Sequence, residues 1–324
     1  MPIHYAKQLK KYTYDNIEVG EQLGPVEGVL SALKLKSHAF AVDDYGDWYF
    51  KDSPFGGPIG HPTLLATDVL YLFMMAYDMT PPTEGGLHGK NEIEFVNPVR
   101  VGTRVTIQGT HSDKYQKRAQ NYRILEGQVV DENGQVIIRM RATETVGFKA
   151  DTPVGQSMGK PAADAITGEV PADAPVVTRA SRDVPIGGVL PSLSKHMTLE
   201  QSVMYSGFPY GWVEGGAKKI DMTIHTDPED ARGRGQPGVI VQGLCSAAFI
   251  SEICTNFFGQ KWFTTGRLST NFLRPVIVGD DITASAMVKR IEEGESGKTR
   301  VQLDVWCKNQ RGELTTVGRA SAEV

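Results

Sequence analysis

The stretch VQLDVWC (301–307) alternates cleanly, with Val301, Leu303, Val305 and Cys307 on one face. ITASAMV (282–288) does the same with Ile282, Ala284, Ala286 and Val288. Both read as strands half buried against a core. Asn133-Gly134 and Arg311-Gly312 are hairpin signals between strands. Two other runs are apolar on most sides, 62–78 and about 243–258. These predict helices, and a helix apolar on most sides must be covered on most sides. The stretch 62–79 carries Asp68 near its middle and is short for a membrane span of about 20 residues, so it reads as a core helix.

The pattern occurs twice. EFVNPVRVGTRVTI (94–107) matches NFLRPVIVGDDITA (271–284), with Phe95, Pro98, Val101 and Gly102 falling on Phe272, Pro275, Val278 and Gly279 at a shared offset of 177. Gly134 falls on Gly312 and Ala142 on Ala320. Upstream, FGGPIGHPTLLATDV (55–69) lies over QPGVIVQGLCSAAFI (236–250), which places His61 on Gln242. We therefore expect two copies of one α+β unit, 1–150 and 179–324. The Ala-, Pro-, Gly- and Asp-rich segment 151–178 is the expected linker. In each copy a curved antiparallel sheet should wrap a long central helix.

Composition narrows the class. The net charge of −4 and the dispersed lysines and arginines leave no basic footprint for nucleic acid. Cys245, Cys254 and Cys307 have no metal-ligand spacing and are odd in number, which fits a reduced, cytoplasmic setting. The first sixteen residues lack the apolar run of a signal peptide. No dinucleotide fingerprint is present, so neither a metal nor a redox cofactor is expected.

Three stretches carry a resemblance. YSG (205–207) with IHTDPEDA (224–231) resembles the segment SGD-x-NP-[IL]-H-x-DP-x-x-A; GVIVQGLCS (238–246) resembles the helix-entry motif PIAHG; NFLRPVIVGDDI (271–282) resembles F-x-x-PV-x-x-GD. Together they are similar to the MaoC-like dehydratase / (R)-specific enoyl-CoA hydratase family. The resemblance implies a double hotdog, a fold in which a bent antiparallel sheet holds a long helix. It also implies acyl thioester substrates, with coenzyme A present only as part of the substrate, and reversible addition of water across a 2,3 double bond. The implied activity is hydratase/dehydratase. The partner is then a small-molecule acyl thioester, with neither nucleic acid nor membrane, and a homodimer is allowed.

That reaction needs a base for water at C3, an acid for C2 and a donor for the enolate oxygen. The resemblance assigns His225 to proton transfer and the backbone N–H of Gly243, beside Gln242, to the oxygen. A helix N-terminus beginning with glycine presents free N–H groups to such an oxygen. Trp212 and Tyr205 are candidate substrate-binding residues. Arg267, with Lys90 in the equivalent place, is a candidate for coenzyme A phosphates.

The pattern also departs from the family. Its aspartate precedes the histidine by five residues, and here that position is Ile220. Asp221 is one residue off and is the first candidate for the missing carboxylate, ahead of Glu214. Asp227, Glu229 and Asp230 read as an exposed turn and helix cap. In the first copy no histidine follows the acids, but Asp47 and His61 form a candidate second polar site. Two rival readings stay open. One is a hotdog thioesterase using Asp68 or Glu252 on the central helices; the other is an acyl-thioester-binding protein without turnover.

Overall fold

The computed structural model describes residues 9–78, 86–117, 120–147, 165–207, 223–293 and 297–324. Its main feature is one ten-stranded sheet. The strands are β1 Gln22–Val29, β2 His88–Phe95, β3 Arg104–Lys117, β4 Gln120–Asp131, β5 Val136–Val146, β6 Leu193–His196, β7 Arg267–Phe272, β8 Asp281–Glu293, β9 Thr299–Asn309 and β10 Leu314–Glu323. Their spatial order is β1-β3-β4-β5-β2-β7-β10-β9-β8-β6, with every neighbour antiparallel. The first five strands of this order come from the first copy and the last five from the second, in mirrored sequence. The hairpins at 133–134 and 311–312 turn on Gly134 and Gly312, whose φ values of 76° and 75° favour glycine.

The two copies meet at the β2–β7 seam, where Glu92 lies opposite Ser269. These two residues are themselves 177 apart (269 − 92), the offset of the sequence repeat, so the pair maps onto itself. The pseudo-twofold axis passes between them. The two copies' sheets thus join edge to edge into one continuous sheet, because pairing β2 with β7 satisfies both edges at once. Gly318 of β10 packs against this seam, and a Cβ there would run into the Ser269 carbonyl. Gly318→Ala is expected to destabilise the fold by about 1–3 kcal/mol through overpacking, read as a lower urea midpoint; an unchanged midpoint would show that the seam yields freely.

Helices cover the other face. Helix α1 (Ala32–Ala41) starts at Ser31, whose hydroxyl accepts from Lys34 N at 3.1 Å. Helix α2 spans Asp47–Phe50, and α3 spans Ala66–Leu70. Helix α4 (Leu199–Gly207) opens with a reciprocal capping box: Thr198 Oγ1 accepts from Gln201 N at 3.2 Å, and Gln201 Oε1 accepts from Thr198 N at 3.1 Å. Helices α1 and α4 pack on each other across the axis. His38 and Tyr205, each seven residues beyond its cap (38 − 31 and 205 − 198), face one another with ring centroids 5.5 Å apart.

Short α5 (Pro228–Gly233) precedes α6 (Gly243–Phe258), and α7 (Gln260–Thr265) follows it. Helix α6 is the expected central helix, 16 residues long and packed on β7 to β10. Its counterpart is not the continuous helix predicted over 62–78: α3 gives way to a 3-10 turn at Tyr71–Met75. Apolar periodicity marks burial on all sides but does not distinguish α from 3-10 pitch. Here Val69 and Leu72 press onto β4 and β3 where Gly127 and Gly109 face each other. The tighter pitch accommodates that contact while Tyr71 reaches the other copy. Among the described residues, no helix is long and apolar enough to cross a membrane.

Candidate active site

His225 sits in a turn between the second copy's α4 and α6. Thr223 builds the turn: its Oγ1 accepts from His225 N at 3.2 Å, and its carbonyl accepts from Thr226 N at 3.0 Å. Asp227 then caps α5, its Oδ1 accepting from Glu229 N and Asp230 N at 2.8 and 2.7 Å. The acids after the histidine are therefore a helix cap, with Pro228 at the first helical position. Two bonds tie the turn to its neighbours. Ser202 of α4 donates to the His225 carbonyl at 2.8 Å, and Ile240 N donates to the Ile224 carbonyl at 2.8 Å.

The imidazole has a defined tautomer. Its Nδ1 lies 2.6 Å from the Ile240 carbonyl, which can only accept. Nδ1 therefore carries the proton and Nε2 keeps the lone pair. Burial holds the His225 pKa below its ordinary value, partly offset by the bond to Ile240, so the ring is neutral near pH 7. Ile240 pairs with Ile277 and stands two residues before Gln242. The histidine is thus fastened to the strand that leads into α6. Gln242 stands at the N-cap position of that helix, and its side chain turns away from the helix to donate from Nε2 to Ser206 Oγ at 3.0 Å and to Tyr71 OH. Its Oε1 is buried without a hydrogen-bond partner. Gly243 begins the helix, and a Cβ there would stand 2.9 Å from the Phe272 ring. Packing alone therefore requires glycine at this position.

A second polar cluster occupies the related place in the first copy. His61 Nδ1 accepts from Thr63 N at 3.2 Å, which puts the ring proton on Nε2. That nitrogen points at Asp44 Oδ2 across 3.5 Å, too far for a hydrogen bond, and both atoms are buried without one. Glu252 of α6 is held by Lys195 at 2.7 Å, and Lys195 also donates to the Asp43 carbonyl. Burial and Asp44 push the Glu252 carboxyl up to about 7. Tyr71 faces Gln242 just as Glu252 faces the His61–Asp44 corner. Gln242 and Glu252 stand the same 181 residues from His61 and Tyr71 (242 − 61 and 252 − 71), so Tyr71 and Glu252 hold equivalent places on the two copies' central helical segments.

The expected pairing of His61 with Asp47 is corrected. Asp47 lies exposed in the first turn of α2 and pairs with Lys51 at 2.9 Å. Asp43, at φ 53°, turns the chain so that Asp44 enters the core and accepts from Gly46 N at 3.0 Å. Arg267 is exposed on β7 and meets Glu94 across the seam at 3.5 Å, and Lys90 pairs with Glu92 at 2.9 Å. Tyr205 is buried at the α1–α4 contact, its OH accepting from Thr67 at 3.1 Å. It holds the two copies together. Asp221, Glu214 and Trp212 lie outside the described residues.

Asp44 is one of three acids, Asp43, Asp44 and Asp47, in the stretch before His61, and the sequence pattern singles out neither it nor Tyr49. A signal was present: Tyr49 follows Asp44 by five residues, the interval that the family pattern sets between aspartate and histidine. A search for histidine alone misses it.

The MaoC like domain family matches residues 221–307. The chain carries a MaoC-like domain. The match begins at Asp221 and takes in His225, the Gln242-Gly243 helix entry and the strand entry at 271–282. A solved MaoC-like dehydratase superposes with a TM-score of 0.71 at 17% identity, over 94% of this chain and 98% of its own. A MaoC-like dehydratase of Phytophthora capsici gives 0.64 at 17%, over 96% and 98%. A conserved hypothetical protein of Mycobacterium tuberculosis with a double hotdog fold gives 0.63 at 14%, over 97% and 98%. No curated protein sequence matches significantly. The fold is a double hotdog, and the MaoC-like match places the second copy's domain in a hydratase/dehydratase family.

Burial at the first-copy corner has a consequence for acid stability. His61 is 1% exposed, and burial brings its pKa from 6.5 to about 3. Below about pH 6.5 the unfolded chain takes up a proton that folded His61 refuses until about pH 3, so stability falls with pH across that window. From pH 6.5 to 5 the loss from this group is about 2 kcal/mol. Urea titrations at pH 7 and 5 should show it, and His61→Gln should flatten the slope. Parallel slopes in the two proteins would refute the assignment.

Proposed function

We propose that this chain is a hydro-lyase that adds water across the C2–C3 bond of a 2-enoyl thioester, or removes it from a 3-hydroxyacyl thioester. Coenzyme A is the proposed carrier. The observation that carries this reading is the 2.6 Å contact of His225 Nδ1 with the Ile240 carbonyl. It leaves Nε2 as a neutral base on the segment that leads into α6. In hydration, His225 Nε2 takes a proton from water as its oxygen bonds to C3. The electron pair moves to the thioester oxygen, which the Gly243 N–H receives, and a proton then reaches C2. Asp221 is the proposed carboxylate partner. Developing negative charge at a helix N-terminus is favoured by the unpaired N–H groups there.

Both carboxylates that a thioesterase would use are engaged by lysines. Lys34 holds Asp68 at 2.7 Å, and Lys195 holds Glu252 at 2.7 Å. That favours the hydro-lyase reading. The test is the ultraviolet absorbance of the conjugated thioester with crotonyl-type substrates. Loss of absorbance without release of free thiol is the expected result; thiol release would convert the reading to thioesterase.

A further inference from the structure

Attacking water carries two hydrogens, and His225 Nε2 can take only one. A water held by one bond alone is free to turn, so its orientation toward C3 needs a second acceptor. Gln242 Oε1 has the character of such an acceptor. Gln242 is 5% exposed, and its Oε1 is buried without a hydrogen-bond partner. The other end of the amide is fully engaged: Nε2 has two hydrogens and donates to Ser206 Oγ at 3.0 Å and to Tyr71 OH. A buried carbonyl oxygen is ordinarily satisfied, and an exception beside a candidate active site calls for a donor from the reactants.

Helix α4 sets Gln242 beside His225. Ser202 and Ser206 are four residues apart, so they share one face of α4 at about 5–6 Å. Ser202 Oγ donates to the His225 carbonyl at 2.8 Å, and Ser206 Oγ accepts from the Gln242 amide. On the other side, His225 Nδ1 is fastened to the Ile240 carbonyl, two residues before Gln242. One helix face and one strand therefore hold both groups. The first copy gives the contrast. Its counterpart of Gln242 is His61, whose Nδ1 accepts from Thr63 N at 3.2 Å. That helix entry satisfies its own acceptor, whereas the second copy's leaves one over.

We infer that Gln242 Oε1 receives the second hydrogen of the attacking water, and that Ser206 and Tyr71 are the positioning residues that hold the amide for it. This role rests on the hydro-lyase reading. As the water oxygen bonds to C3, one hydrogen passes to His225 Nε2. The other stays on the oxygen, donated to Gln242 Oε1 throughout, and ends as the hydrogen of the 3-hydroxyl. The π pair of the C2–C3 bond moves to the thioester oxygen and returns to C2 when the proton arrives there. Gln242 itself neither gains nor loses a proton. Tyr71 makes the first copy part of the second copy's site, because the 3-10 turn at Tyr71–Met75 carries its hydroxyl across.

Steady-state hydration of a crotonyl-type thioester by the full chain tests this. Gln242→Met keeps the length of the side chain and removes the acceptor. It should lower kcat by about 10–100-fold with KM nearly unchanged. Gln242→Glu offers oxygen at both amide positions and no donor. It should recover much of the lost kcat and add a limb to the pH profile as the new carboxyl titrates. Tyr71→Phe keeps the ring and should lower kcat by about tenfold, yet add little to Gln242→Met, because both act on one bond. A merely structural glutamine predicts otherwise: glutamate, unable to donate to Ser206 and Tyr71, would then do no better than methionine. That result, or Gln242→Met turning over like wild type, or a Tyr71→Phe loss that adds in full, would overturn the role. The hydro-lyase reading fails by a different sign. A wild-type protein that consumes no enoyl thioester would remove the reading and this role with it, whereas active wild type beside an equally active Gln242→Met removes the role alone.

Discussion

His225→Ala lowers kcat/KM for enoyl-thioester hydration by about 10²–10⁴-fold, the usual contribution of a positioned general acid/base. The expectation follows from the tautomer. The Ile240 carbonyl holds Nδ1–H at 2.6 Å and so delivers Nε2 as the reactive nitrogen. His225→Gln sharpens the test. Its amide can still donate to Ile240, so the turn keeps its shape, yet it has no basic nitrogen. Both variants should fall together, with unfolding midpoints close to wild type. The pH profile gives an independent reading: burial holds the histidine below its ordinary 6.5, so the acid limb of kcat/KM should bend below that value. Full hydration by His225→Gln would sink the site, because positioning alone would then suffice.

Much of this architecture is legible in the chain. Strand alternation, the two hairpin glycines and the 177-residue offset survive as paired strands, turns and the self-matching Glu92–Ser269 pair. Local periodicity and repeats encode these directly. What the sequence conceals is decided by contacts distant in the chain. The predicted 62–78 helix breaks because glycines on two strands let Val69 and Leu72 sink toward the sheet. Which strands form the seam is invisible because edge pairing depends on backbone geometry rather than on side-chain type. At the candidate site, His225 was singled out by motif, and the structure adds its bond to Ile240. The sequence groups Asp47 with His61, but the left-handed turn at Asp43 sends Asp44 inward instead. Arg267 and Tyr205 had the right residue types, but the sheet seam and the α1–α4 contact claim them.

Lys34→Met is expected to cost about 3–5 kcal/mol of stability, the penalty for removing one side of a buried ion pair. Lys34 Nζ stands 2.7 and 2.8 Å from the two Asp68 oxygens, and the side chains are only 8% and 3% exposed. The pair joins α1 to α3, which between them frame the first-copy corner. Methionine fills the space of the lysine stem, so the loss isolates the charge rather than the packing. Adding Asp68→Leu removes the carboxylate as well, and the double variant should recover most of the loss, since a buried ion pair replaced on both sides by apolar groups is often neutral or better. Chemical denaturation of the two single variants and the double closes the cycle. A Lys34→Met protein as stable as wild type would mean that the Asp68 carboxylate does not depend on Lys34. The folded fraction of Lys34→Met should hydrate the enoyl thioester at the wild-type rate, because His225 is held by Ser202 and Ile240 and not by this pair. A rate that fell with the ion pair would tie Asp68 to the chemistry and reopen the thioesterase reading. Stability and rate therefore separate a carboxylate that builds the fold from one that does the chemistry.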